Sequence, residues 1–198
     1  MSALPFIDPA DHPGRRRMTE NQAAILGRLV EAAAAEARQH GYEGMTVRGA
    51  ARRAGVAPAT AYTLVASKDH LLAEVMWRRW EDLPDANPPS GASQADQVLA
   101  ELRVLGTFMA DDPLLAAAGT TALLGPGADV RDLRIRLGSA FHARLAAALG
   151  DDPDPGLVRS LDLVYTGALL WMGMGHLPRD QVPQVLDEAA RLLLGEPR

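Results

Sequence analysis

Residues 47–62 read Val47-Arg48-Gly49-Ala50-Ala51-Arg52-Arg53-Ala54-Gly55-Val56-Ala57-Pro58-Ala59-Thr60-Ala61-Tyr62, a short helix, a glycine turn and a second short helix. Thr46 stands where a hydroxyl can accept from an unpaired amide at a helix start, which predicts a helix over 47–54. Gly55 ends it. Pro58 suits the first turn of the next helix and holds Ala57 outside helical geometry. Ala50, Ala51 and Ala54 permit close crossing, and a second helix presented in this way fits the width of the DNA major groove. Any two short packed helices can imitate this arrangement, so the pattern alone leaves DNA binding and a plain helical module both open.

Outward from this stretch, turn residues divide the chain. Residues 1–20, with Pro5, Pro9, Pro13, Gly14 and the run Arg15-Arg16-Arg17, read as a flexible basic arm. A helix is predicted from Asn21 to His40 with apolar spacing at Leu26, Leu29, Val30, Ala33 and Ala37, and Gly41 is its natural stop. Ser67 caps a fourth helix that turns Leu71, Leu72, Val75, Met76 and Trp80 inward. The breakers Pro84, Pro88, Pro89 and Gly91 mark a domain boundary, giving domains at 21–81 and 93–198. Further helices are predicted over 94–110, 114–124, 129–149, 157–176 and 181–194, and nothing alternates like a strand. The fold class is all-α, with about nine helices and no internal repeat.

Composition narrows the function classes. The chain has 198 residues, 47% of them hydrophobic, which is ample for a buried core. Cysteine is absent, which excludes disulfides and thiolate metal sites and fits a reducing, cytoplasmic setting. Met1 to Pro13 lacks the basic-then-apolar order of a secretory signal. The longest apolar stretch, Leu163 to Leu177, is interrupted by Thr166, three glycines and His176 and reads as a buried helix rather than a membrane span. The net charge of −5 averages two unlike halves: +3 over residues 1–80, −8 over 81–198, and +5 within 15–68. A duplex-facing module on an acidic body has this asymmetry, as does random scatter of charge.

The chain resembles the TetR family of bacterial repressors in His40-Gly41-Tyr42, Thr46-Val47, Ala51 through Gly55-Val56, Thr60-Ala61-Tyr62 and Ser67-Lys68-Asp69-His70-Leu71-Leu72, over about residues 22–80. The resemblance implies an amino-terminal three-helix DNA reader, a divergent body that binds a small effector, and dimers on a palindromic double-stranded operator. It places Thr46, Thr60, Tyr62 and Lys68 as phosphate contacts, consistent with hydroxyls and amides fixing register at helix starts. For Tyr62 a ring packed on the first helix is the alternative. Arg48 and Arg52 approach phosphate or base edges, or are merely solvated. The recognition segment Ala57-Pro58-Ala59-Thr60-Ala61-Tyr62-Thr63 has few long donors, so selectivity is expected from Thr and Ala contacts to thymine methyls, from the two arginines and from DNA shape. Arg15-Arg16-Arg17 either enter a minor groove or form a solvated arm. Two positions depart from the family: Val65 replaces its usual aromatic residue, and Ala57 its frequent polar cap.

In the body, an effector pocket lined by apolar walls and a few polar groups is expected from Leu105, Phe108, Met109, Thr120, Thr121, Phe141, His142, Tyr165, Trp171, Met172 and Met174, each of which also suits plain core filling. The resemblance further implies dimerisation through 157–176 and 181–194, with Gly167, Ala168, Gly173 and Gly175 allowing close approach and Leu186, Ala189, Ala190 and Leu193 forming a stripe. Two other classes stand beside the regulator: a helical protein-interaction module without DNA binding, and a small all-helical enzyme. Against the enzyme, there is no His-Glu-x-x-His, no Gly-x-x-x-x-Gly-Lys and no Gly-x-Ser-x-Gly, and the five histidines lie on separate segments. No cofactor or metal is expected.

Overall fold

A computed structural model describes residues 18–110 and 112–195, without the side chains of Met109 and Ala110; the arm, with Arg15-Arg16-Arg17, lies outside the described residues. All regular structure among them is helical: α1 (Glu20–Gly44), α2 (Val47–Arg53), α3 (Pro58–Leu64), α4 (Lys68–Glu81), α5 (Gln94–Ala110), α6 (Pro113–Leu123), α7 (Ala128–Ala148), α8 (Pro155–Gly173) and α9 (Val182–Leu194), the last preceded by a 3-10 turn at Arg179–Gln181.

Helix ends follow local chemistry. At the start of α1, Thr19 accepts from the Gln22 amide and Gln22 Oε1 accepts from the Thr19 amide, so the helix begins inside the stretch expected to be arm. Gly41 breaks α1 with φ +63°, and one further turn carries the chain to Gly44. Thr46 Oγ1 accepts from the Gly49 amide at 2.9 Å. α3 starts with Pro58 and has no side-chain cap, as Ala57 requires. α8 begins two residues earlier than expected, where Asp154 Oδ1 accepts from the Gly156 amide, and ends at Gly173 rather than near Pro178. There Gly175 takes φ +77°, and the amides of His176 and Leu177 both return to the Trp171 carbonyl. A left-handed glycine stops this helix before the proline does.

The described residues form two compact units, the first comprising those up to Arg79 with Ala117–Ser139, the second those between Trp80 and Ala116 with those from Ala140 onward. In the first unit α1, α2 and α3 pack on one another, with Leu29, Ala33, Ala37, Ala50, Ala51 and Ala61 fully buried. Alanines at the crossings let these helices approach closely. Ala73 of α4 packs with Val130 and Leu133 of α7, with Trp77 and Leu123 around them. Arg134 Nη1 donates to the carbonyls of Leu123 and Gly125, tying the α6–α7 turn to α7.

In the second unit α9 packs on α5 and α8. The proline-rich segment after α4 is tied to this unit at Pro84. Arg144 Nη2 donates to the Pro84 carbonyl at 2.8 Å, its Nε donates to the buried Glu101 carboxylate, and its guanidinium lies 5.6 Å from the Trp80 ring centre.

Candidate nucleic-acid interface and effector core

α3 is the element that the first unit offers outward. Of its seven residues only Ala61 is buried; Pro58, Ala59, Tyr62 and Thr63 are exposed, and Thr60 and Leu64 are half-exposed. Ala57, just before it, is also exposed. Tyr62 is 49% exposed, so half of its surface stands open. Thr63 Oγ1 donates to the Thr60 carbonyl at 2.7 Å, so its hydroxyl is engaged within the helix and its methyl is the group left over.

The remaining expected contacts surround this helix. Thr46 is exposed while capping α2. Arg48 and Arg52 project from α2, are exposed and make no ion pair among the described residues, so both charges remain available to phosphate. Lys68 is half-buried at the first position of α4. Its Nζ donates to the Tyr42 carbonyl at 3.1 Å and sits 3.8 Å above the centre of the Tyr42 ring. These two contacts hold its ammonium group against Tyr42.

Reasoning from sequence missed what holds this surface in shape. The Tyr42 hydroxyl donates to Asp69 Oδ1 at 2.7 Å, and that bond, with burial and the nearby carboxylates, pushes the phenol up to about 12. Ser67 Oγ accepts from the His70 amide and so caps α4, while His70 Nδ1 accepts from the Ala66 amide, one residue before the cap. Glu36, buried on α1, accepts from Arg53 Nε at 2.7 Å, and Arg53 Nη2 donates to Gln39 at 2.8 Å. An acid one turn beyond Ala33 and beside Ala37, on the buried face of α1, was the available signal, since a buried carboxylate needs a partner.

The residues expected to line an effector site divide among several places. Leu105, Phe108, Phe141 and Tyr165 are buried in the second unit. The Phe141 and Tyr165 rings are tilted by 31° with centres 4.2 Å apart, and the Trp80 ring centre lies 6.1 Å from those of both Phe108 and Phe141. Tyr165 Oη donates to the Leu105 carbonyl at 2.7 Å, and complete burial raises its phenol pKa further. His142 Nδ1 is 2.6 Å from Asp162 Oδ2, whereas Asp162 Oδ1 is buried without a partner; desolvation raises the Asp162 pKa against the opposing pull of His142. Thr120 and Thr121 belong to the first unit, and the Thr121 hydroxyl donates to the Ala117 carbonyl. Trp171 and Met174 are both 59% exposed near the end of α8, and Met172 is half-buried. Met109 lies outside the described side chains.

α8, the turn after it and α9 carry most of the large exposed apolar side chains described in the second unit, Leu114 of α6 being another. Leu163, Trp171 and Met174 on and just after α8, and Val185, Leu192 and Leu193 on α9, face out. The expected stripe Leu186, Ala189, Ala190 and Leu193 is corrected by about one residue: Leu186 and Ala190 are buried within the subunit, and the outward line runs through Val185, Ala189 and Leu192.

Comparison with known proteins agrees with this geometry. The family profile described as bacterial regulatory proteins, tetR family, matches residues 29–75, which span most of α1, all of α2 and α3, and half of α4. An uncharacterized HTH-type transcriptional regulator of Mycobacterium tuberculosis is 39% identical over 178 residues, covering 87% of this chain and 82% of the relative. The HTH-type transcriptional repressor KstR of Rhodococcus jostii is 30% identical over 176 residues, covering 85% of this chain and 82% of the relative. Among solved structures, a TetR transcriptional regulator from Rhodococcus sp. RHA1 superposes with a TM-score of 0.73 at 25% identity, covering 85% of this chain and 97% of that one. Its relatives are transcriptional regulators and not enzymes, and the chain belongs to the TetR family of helix-turn-helix transcriptional regulators.

Proposed function

We propose that this regulator is a cytoplasmic repressor that binds a palindromic operator as a dimer and is released by a small, mainly apolar effector. The observation that carries the reading is α3, a short helix that buries only Ala61 and leaves Pro58, Ala59, Tyr62 and Thr63 exposed, beside Arg48 and Arg52, which make no ion pair among the described residues. Residues 21–81 form the DNA-binding domain. Within it Thr46, Thr60, Tyr62 and Lys68 hold phosphate, and Ala57, Pro58, Ala59, Thr60 and Thr63 face base edges, with Arg48 and Arg52 at the flank. Residues 93–198 form the effector-binding and dimerisation domain. The aromatic group of Phe108, Phe141 and Tyr165, with Leu105 and His142, supports an apolar effector with a polar handle. The exposed apolar residues of α8 and α9 support dimerisation there. Repression follows by analogy with the relatives named as repressors.

A titration against the DNA flanking the gene of this protein tests the reading. Affinity on the order of nanomolar is expected for the operator, falling steeply with salt as phosphate contacts release counterions. Lys68→Ala weakens all duplexes alike, by about one unit of the salt slope. Equal, weak binding to every duplex would rule the operator out.

A further inference from the structure

Asp69 stands in the first turn of α4, next to Lys68, where by charge alone a carboxylate opposes the phosphate that Lys68 is proposed to hold. An acid at a helix start favours the helix dipole while facing water and needs no side-chain partner. Here both carboxylate oxygens are engaged. Oδ1 accepts from the Tyr42 hydroxyl at 2.7 Å. Oδ2 lies against Gly125 in the turn between α6 and α7, where a methyl group on the glycine would stand 2.9 Å from it. The same methyl would stand 2.9 Å from the Ala122 carbonyl oxygen. Gly125 has no left-handed backbone, so lack of room rather than torsion requires glycine there. All of these residues belong to the first unit.

We propose that Asp69 and Gly125 are positioning residues for DNA binding: the α6–α7 turn sets Asp69, Asp69 sets Tyr42, and Tyr42 holds the Lys68 ammonium for phosphate. This rests on the reading of Lys68 as a phosphate contact. The turn is held from behind, because Arg134 Nη1 donates to the carbonyls of Leu123 and Gly125 at 2.6 and 3.3 Å. α7 is in turn packed on α4 through Val130, Leu133 and Ala73. On the other side of Tyr42, Lys68 Nζ is 3.1 Å from the carbonyl and 3.8 Å from the ring centre. Phosphate contacts set the register of a protein on the duplex, so the place of this ammonium matters as well as its charge. Asp69 thus aids phosphate binding through geometry although its charge opposes it.

The test is a set of titrations of the full chain against the duplex that the parent protein selects from a random library. Removing a carboxylate beside phosphate should, by charge alone, tighten binding. The proposal predicts the opposite for Asp69→Ala: a loss of about fivefold, the worth of one hydrogen bond. Asp69→Asn keeps an oxygen for the Tyr42 hydroxyl while removing the charge, and should bind at least as tightly as the parent. Gly125→Ala, which leaves every charge in place, should lose about fivefold as well. Added to Lys68→Ala, neither Asp69→Ala nor Gly125→Ala should cost anything further. Circular dichroism checks that each variant is folded, and the two Asp69 variants decide the matter if Gly125→Ala is not. Asp69→Ala binding as tightly as the parent, Asp69→Asn losing as much as Asp69→Ala, a folded Gly125→Ala with parental affinity, or a loss that persists without Lys68 overturns the proposal alone. A parent that selects no duplex overturns the DNA-binding reading and this proposal with it.

Discussion

Tyr42 shows how one side chain outside the recognition helix can shape the DNA-facing surface. Its hydroxyl holds Asp69, while its ring and carbonyl hold Lys68, so the start of α4 is fixed to the end of α1 through three contacts of one residue. Tyr42→Phe keeps the ring and carbonyl and should cost about 1 kcal/mol through loss of the bond to Asp69. Because the folded phenol is raised to about 12 from the ordinary 10, the folded state holds this proton the more tightly. The contribution is complete below about pH 10 and is lost as pH climbs through 12. Chemical denaturation across that range should find the parent losing its advantage over Tyr42→Phe; a constant difference would break the argument. Thr63 makes a second residue-level case. Its hydroxyl is bonded to Thr60, so on the proposed interface only its methyl is left to meet a base, and Thr63→Val should retain operator preference. Thr63→Ala, lacking that methyl, should lose about 1 kcal/mol of discrimination at one base pair. Operator libraries that rank both variants alike would sink this assignment.

At the level of elements, α3 is the least supported helix of the first unit. It has seven residues, no side-chain cap and a single buried side chain, and Pro58 alone pre-sets its first turn. Ala57 already has extended backbone angles, φ −61° and ψ 135°, of the kind a capping serine uses. Ala57→Ser should therefore stabilise the domain by about 0.5–1 kcal/mol, read as a rise in thermal midpoint. No rise would mean that the serine hydroxyl is drawn elsewhere. α2 shows the opposite arrangement, with Thr46 capping one end and Arg53 clamped to Glu36 and Gln39 at the other. A firmly held α2 followed by a lightly held α3 suits a reader whose second helix must settle into a groove.

For the whole molecule, the question is what covers the apolar side chains of α8 and α9. Leu163 and Leu192, 67% and 64% exposed, are the most open of them. Leu163→Glu combined with Leu192→Glu should convert a dimer to a monomer in sedimentation velocity. Operator affinity should fall by about 100-fold or more, because two linked half-sites bind with a high effective concentration that a monomer forfeits. A double variant that sediments and binds like the parent would place the dimer contact elsewhere. The division into units also belongs to this scale: Ala117–Ser139 groups with the amino-terminal helices although it lies far along the chain. A domain cut read from prolines at 84–91 cannot reveal this, since packing partners of distant segments leave no local mark.

The sequence by itself determined the helices, most of their ends, and the family. Those signals are local: Thr46 as a cap, Pro58 at a helix start, and the left-handed glycines 41 and 55 act within one turn of where they stand, whereas the cap at Thr19 went unread. Even the missing cap at Ala57 was legible. Only the tertiary structure decided which way the side chains face and what they touch. It turned Tyr62 out, set Lys68 on Tyr42, paired Glu36 with Arg53, and rotated the outward line of α9 from Leu186 to Val185. Helix periodicity defines an apolar stripe but not the neighbour that will cover it, and a single residue of phase turns a side chain by about 100°. Contacts between segments tens of residues apart settle that phase, and they exist only once the chain has folded.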